Sequence, residues 1–222
     1  MAITTVLFDI DGTLVDSNDA HAQAWVQAFG EAGRHVDPQA VRRAIGMGGD
    51  KLLPAVSGLS AESAEGKRIA SRRAEIFESE HLPALHPLPD AYRLVSTLKE
   101  RGFALAAASS AKKDELQQLL DIAGVTALLD AATSSDDADE SKPDPDIVMA
   151  ALRRLRAQAD QALLIGDTPY DVAAAGRARV PCIAFRCGGW SDRELAGAVR
   201  VYDDPRDLLA RLNDSPLGRG AE

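Results

Sequence analysis

The chain has 222 residues, 45% of them apolar and 27% charged, the balance of an ordinary globular protein long enough to bury a sizeable core. A net charge of −9 and a pI near 5.0 argue against a nucleic-acid partner, and no apolar run approaches the roughly 20 residues of a membrane span. With no basic-then-apolar leader at the start and only Cys182 and Cys187, the expectation is a cytoplasmic protein without a disulfide framework.

The first predicted element is a buried strand leading into Val6-Leu7-Phe8-Asp9-Ile10-Asp11-Gly12-Thr13-Leu14, where a glycine lets the backbone turn. Helical patterning then persists for about seventy residues, too long for a simple crossover. Ala20, Ala24, Ala28 and Ala32, interleaved with Trp25 and Phe29, predict a helix over about Asp16–Gly33. Asp37-Pro38 reads as a helix start. Shorter periodicities follow at Val41–Ile45 and Leu52–Val56, and Ser60–Glu80 reads as one long charged helix. Pro83, Pro87 and Pro89 close this stretch as a stiff linker.

Beyond it, helices and strands alternate. Leu94, Val95 and Leu98 predict a helix stopped by Gly102, and Phe103–Ala108 a strand. Further helices are expected at Lys113–Ala123, Asp144–Arg156, Asp171–Ala178 and Pro205–Leu212. Strands are expected near Leu128–Thr133, Ala162–Ile165, Pro181–Phe185 and Val199–Tyr202. Such alternation implies a parallel sheet covered on both faces. The expected organisation is an α/β core from residues 1–15 and 86–215, an all-helical insert over 16–85, and a loose tail over 216–222.

Chemistry concentrates where the predicted strands end, the edge at which open α/β sheets bind ligands. Asp9 and Asp11 repel one another, and burial makes both charges costly, so a divalent cation or a shared proton must compensate. Magnesium suits a site of carboxylate and carbonyl oxygens completed by water and a phosphate. Ser109, or failing it Ser110, ends the second strand and can donate to a phosphate oxygen. Lys142, held among the prolines of Ser141-Lys142-Pro143-Asp144-Pro145-Asp146, can hold a phosphate's charge. In Gly166-Asp167-Thr168-Pro169-Tyr170-Asp171, a strand delivers Asp167 and a new helix carries Asp171 one turn on, a spacing that can aim both at one cation.

These four segments, in this order, resemble the motifs of the haloacid dehalogenase superfamily in its phosphatase form: Asp-x-Asp-Gly-Thr-Leu, a strand-end Ser, Lys-Pro-x-Pro-Asp and Gly-Asp-x-x-x-Asp. The branch indicated is the phosphoglycolate phosphatase and beta-phosphoglucomutase-like one. The resemblance implies a Rossmann-like parallel-sheet core with an inserted all-helical cap acting as a lid, hinged at Thr13–Asp16 and around Pro87. It implies a magnesium-dependent phosphatase acting on a small phosphorylated metabolite, phosphoglycolate-like or sugar-phosphate-like. Asp9 would be the nucleophile, Asp11 the general acid and base, and Lys142 and Ser109 the charge-stabilising groups. Magnesium would be held by Asp9, the backbone carbonyl of Asp11, Asp167, and Asp171 directly or through water. Gly12, Thr13, Ser109, Ser110 and Lys142 are expected to meet the phosphate. In the insert, Gly48, Gly49 and Lys51, within a glycine-rich loop Gly46–Lys51, and His21 are expected near substrate. The second aspartate, Asp11, sets the chain apart from relatives that cleave carbon–halogen or carbon–phosphorus bonds. A sugar-phosphate mutase and a catalytically silent binding protein are the alternative readings, and the oligomeric state is not legible.

Overall fold

A computed structural model describes residues 2–218. The chain divides into two compact units, one formed by the residues up to Asp16 and from His86 onward, the other by Ser17–Leu85.

The first unit is a six-stranded sheet with every pairing parallel, in the order β3-β2-β1-β4-β5-β6. Its strands are β1 (Thr5–Phe8), β2 (Ala104–Ala108), β3 (Ala131–Thr133), β4 (Ala162–Gly166), β5 (Cys182–Phe185) and β6 (Arg200–Tyr202). The strands read as continuous apolar runs because both faces are covered. Leu7, Ala106, Leu164 and Ala184 pack with α7 (Asp146–Leu155) and α8 (Pro169–Arg177) through Ile147, Val148, Val172 and Ala175. Alternating with them, Val6, Phe8, Leu105, Ala107, Leu163 and Ile165 are equally buried and point to the other side. Small alanines in β2 let helices approach closely, whereas Phe8 and Phe185 fill the volume elsewhere. The remaining helices of this unit are α5 (Ala91–Glu100), α6 (Lys113–Ala123) and α9 (Pro205–Ala210). Gly124 ends α6 in the left-handed conformation that only glycine adopts without strain.

The expected loose tail is ordered through Gly218. Leu217 is fully buried, Ser215 Oγ accepts from the Leu217 N–H, and Arg101 donates to the carbonyls of Leu217 and Gly218. Pro and Gly suggested looseness, but one buried leucine and a long-range arginine outweigh local composition. Residues 219–222 lie outside the described part. Leu217→Ala should cost about 2–3 kcal/mol of stability, read from a denaturant midpoint. A change within about 0.5 kcal/mol would mean the tail contributes nothing.

The second unit is helical: α1 (Asn18–Glu31), α2 (Pro38–Ala44), α3 (Gly49–Ser57) and α4 (Ala64–Ile76). The single long helix expected over Ser60–Glu80 starts later and changes type. Ser63 caps α4 by accepting from the Gly66 N–H, and Phe77–His81 continues it as a π-helical turn. Arg72 bridges Glu31 and Glu75, and Arg34 grips Glu65 through two donors, joining α1 and its following turn to α4. Where the chain leaves and re-enters the sheet unit, its two passes pair: Asp16 N–H donates to His86 and Leu88 N–H to Leu14. No helix among the described residues is long and apolar enough to cross a membrane.

Candidate active site

β1 is the strand at which the order reverses, with β2 on one side and β4 on the other. Such a switch point leaves a crevice at the carboxyl ends of the strands. Register aligns Phe8 with Ile165, and the Asp9 N–H extends the ladder to the Ile165 carbonyl at 2.8 Å. Asp9 and Asp167 therefore leave neighbouring strands side by side. Asp9, Asp167 and Asp171 are all buried, and one carboxylate oxygen of each lies within 4.8 Å of the others.

Lys142 joins them. Its side chain is 1% exposed, with Nζ 2.5 Å from Asp9 Oδ1 and 2.7 Å from Asp171 Oδ1. The Asp9 contact has hydrogen-bond geometry; the Asp171 contact is an ion pair at a poorer angle. The loop bearing Lys142, which has a cis Lys142–Pro143 bond, is tied to α8 by Arg177, which donates to the Pro143 carbonyl and to Asp144. Thr168 N-caps α8 and exchanges bonds with Asp171 in a capping box: Asp171 Oδ2 accepts from the Thr168 N–H and hydroxyl, and Thr168 Oγ1 accepts from the Asp171 N–H. Asp171 thus spends Oδ2 on the cap and aims Oδ1 at Lys142.

Three buried carboxylates against one ammonium leave two negative charges. Burial, only partly offset by Lys142 and reinforced by Asp171, Asp167 and Asp11, pushes the Asp9 carboxyl well above its ordinary range. Burial alone would lower Lys142, but the carboxylates of Asp171 and Asp9 more than reverse this, so it stays protonated. Folded metal-free protein therefore holds a proton on Asp9 in a pH window above the usual carboxylate value, where the unfolded chain has released it. The sign follows: this group's contribution to stability falls as pH rises through that window. Metal-free protein should gain Tm as pH falls through that window towards the usual carboxylate value, and Asp9→Asn should flatten that gain. Equal slopes for the two proteins would rule the effect out.

A hard divalent cation fits these residues, since the donors are all oxygens and its two charges match the excess. Asp9, Asp167 and Asp171 are the carboxylates close enough together to hold it. Asp11 is half-buried, lies outside the three-carboxylate cluster, and is near enough to raise Asp9. Ser109 is fully buried at the end of β2, and its Oγ accepts from the Ala111 N–H while keeping its own proton to donate. Ser110 Oγ is buried without a partner among the described residues.

Two residues expected to meet the phosphate, Gly12 and Thr13, have bonds within the turn that follows β1. Thr13 is fully buried, with Oγ1 3.0 Å from Asp167 Oδ1 and 3.3 Å from Asp9 Oδ2, and its N–H donates to Ile10. The Gly12 N–H is committed to Val15, and the glycine is there for its φ of 71°. Both residues shape the turn, and Thr13 orients the carboxylates of Asp9 and Asp167. Gly48, Gly49, Lys51 and His21 all belong to the helical unit. There half of the expected Gly46–Lys51 loop is helix: Gly48 caps α3, and Gly49–Lys51 form its first turn. A Cβ at Gly49 would approach the Trp25 ring to 3.2 Å, closer than an ordinary van der Waals contact. The His21 ring stacks on Phe77 at 4.0 Å, and its Nδ1 lies 3.2 Å from Arg73. The sequence reading missed Thr168, Arg177 and Gly188. Thr168 alone carried a local signal, a capping box with Asp171.

A family model described as haloacid dehalogenase-like hydrolase matches residues 6–185. A phosphoglycolate phosphatase from Rhodospirillum rubrum is 32% identical over 209 residues, covering 90% of this chain and 86% of that protein. Pyrophosphatase PpaX from Bacillus velezensis is 29% identical, covering 96% and 94%. Among solved structures, a hydrolase from Pseudomonas syringae superposes with a TM-score of 0.88 at 32% identity, covering 95% of this chain and 98% of that one.

Proposed function

Because the chain belongs to the haloacid dehalogenase-like hydrolase family, we propose that it is a phosphatase that releases phosphate from a small phosphorylated metabolite through an aspartyl phosphate on Asp9. The observation that carries this reading is the placement of Asp9: buried at the end of β1, with Lys142 Nζ at 2.5 Å and Asp167 in the same cluster. The similarity to a phosphoglycolate phosphatase and to a pyrophosphatase supports phosphoryl chemistry and leaves the leaving group open.

Asp9 attacks phosphorus, the bond to the leaving oxygen breaks, and Asp11 delivers a proton to that oxygen. Asp11 then takes a proton from the water that attacks the phosphorus of the aspartyl phosphate, freeing Asp9. Lys142 offsets charge on the phosphoryl oxygens, and Ser109 donates to one of them. Magnesium, held by Asp9 and Asp167, would supply Lewis-acid neutralisation of the transferring group. Asp171 holds Lys142 and the first turn of α8, and would reach the cation directly or through water.

The test is phosphate release from a panel of phosphorylated metabolites and pyrophosphate, with and without magnesium, beside Asp9→Asn. Magnesium-dependent release lost in the variant supports the phosphatase. Interconversion of sugar phosphates only when primed by a bisphosphate, without net phosphate release, would replace it with the mutase reading.

A further inference from the structure

The turn after β5 reaches both catalytic loops without supplying a reacting group. Arg186–Gly188 form one 3-10 turn, closed by the Gly189 N–H donating to the Arg186 carbonyl. Gly188 packs so tightly on the metal-site carboxylate that a Cβ there would lie 2.3 Å from Asp167 Oδ2 and 2.5 Å from its main-chain oxygen. The neighbouring Cys187 Sγ donates to the Gly12 carbonyl at 3.2 Å, touching the loop that carries Asp9 and Asp11. One short turn therefore backs two segments that must hold their carboxylates in register.

Arg186 fastens that turn from outside. Its Nε and Nη2 donate to the two oxygens of Asp192 at 2.6 and 2.9 Å, and its Nη1 donates to Asp203 at 2.7 Å. The Cys187 N–H donates to the Asp203 carbonyl, so the same residue is gripped through backbone and side chain. Asp203 is held in turn, its N–H donating to Asp207 at the start of α9. Half-exposed ion pairs are ordinarily worth little to stability. A planar fork closed on two carboxylates fixes geometry, however, and geometry is what a carboxylate ligand needs.

We propose that Arg186, locked between Asp192 and Asp203, is a positioning residue that sets the Asp167 carboxylate for magnesium through the Arg186–Gly188 turn. The inference rests on the proposed metal site, and its test separates the two. Magnesium binding to substrate-free protein would be titrated by calorimetry for wild type, Arg186→Lys, Arg186→Ala and Asp192→Asn, beside metal-free Tm and kcat at saturating magnesium. Arg186→Lys keeps the charge and loses the fork. Asp192→Asn leaves the arginine in place and guards against an Arg186 variant that fails to fold. The expected result is magnesium affinity weakened about 10-fold in Arg186→Ala, with a smaller loss in the other two and kcat near wild type once metal saturates. Variants that bind magnesium like wild type, whatever their Tm, would overturn the positioning role alone. Wild-type protein that binds no magnesium would overturn the metal site and this role together.

Discussion

Asp9→Asn should lower phosphate release by about 10⁴-fold or more, with the fold retained and Tm raised in metal-free protein. The loss follows from removing the attacking oxygen pair, since a carboxamide is a poor nucleophile and nucleophile deletions cost on this scale. The gain in Tm follows from the same burial that pushes the Asp9 carboxyl up: the amide keeps an acceptor for Lys142 and relieves repulsion from Asp167 and Asp171. Magnesium should stabilise wild type and leave the variant nearly unmoved, because a carboxylate of the proposed metal site is then neutral. A variant within tenfold of wild-type turnover would remove Asp9 from the chemistry. An unchanged turnover with unchanged magnesium stabilisation would remove it from the metal site also.

Lys142→Met should be damaging on both counts. Methionine approximates the stem but leaves Asp9, Asp167 and Asp171 buried together with no counter-charge. Removing one partner of a buried charge cluster typically costs about 3–5 kcal/mol, and part of that should return when magnesium is added. Turnover should fall about 10²–10³-fold even at saturating metal, because a preorganised charge aimed at the phosphoryl group is lost. Chemical denaturation with and without magnesium, beside kcat, reads both effects. A metal-free variant as stable as wild type would mean that the cluster is already neutralised by protons and that Lys142 carries little electrostatic weight.

Much of this site was legible because a parallel strand buried on both faces must be an apolar run, and its end is where a polar residue first becomes affordable. Asp9, Ser109 and Asp167 each announced themselves that way, at the ends of β1, β2 and β4. Lys142 was legible from the prolines around it. The carboxylate contact of Thr13 was not legible for a physical reason: its partner lies 154 positions away on another strand, and no local pattern reveals which way its hydroxyl turns. Gly188 was invisible for the same cause, its requirement being set by an Asp167 brought beside it only by strand order. Asp171 lies in one cluster with Asp9 and Asp167, but its bonds to Thr168 and Lys142 emerged only once the helix cap was seen. The late start of α4 reflects Ser63, whose hydroxyl accepts from the Gly66 N–H and caps the helix a few residues after the Ser60 start that the charged pattern had suggested.

The central claim is a covalent aspartyl phosphate on Asp9. It is tested most directly by quenching the enzyme during turnover with magnesium and a substrate, reducing with borohydride, and mapping the peptide that spans residues 5–14. Reduction converts an acyl phosphate to homoserine, so the account predicts homoserine at position 9, dependent on substrate and magnesium and absent from Asp9→Asn. Rapid phosphate release with Asp9 unmodified, or homoserine at Asp11 or Asp167 instead, would contradict it.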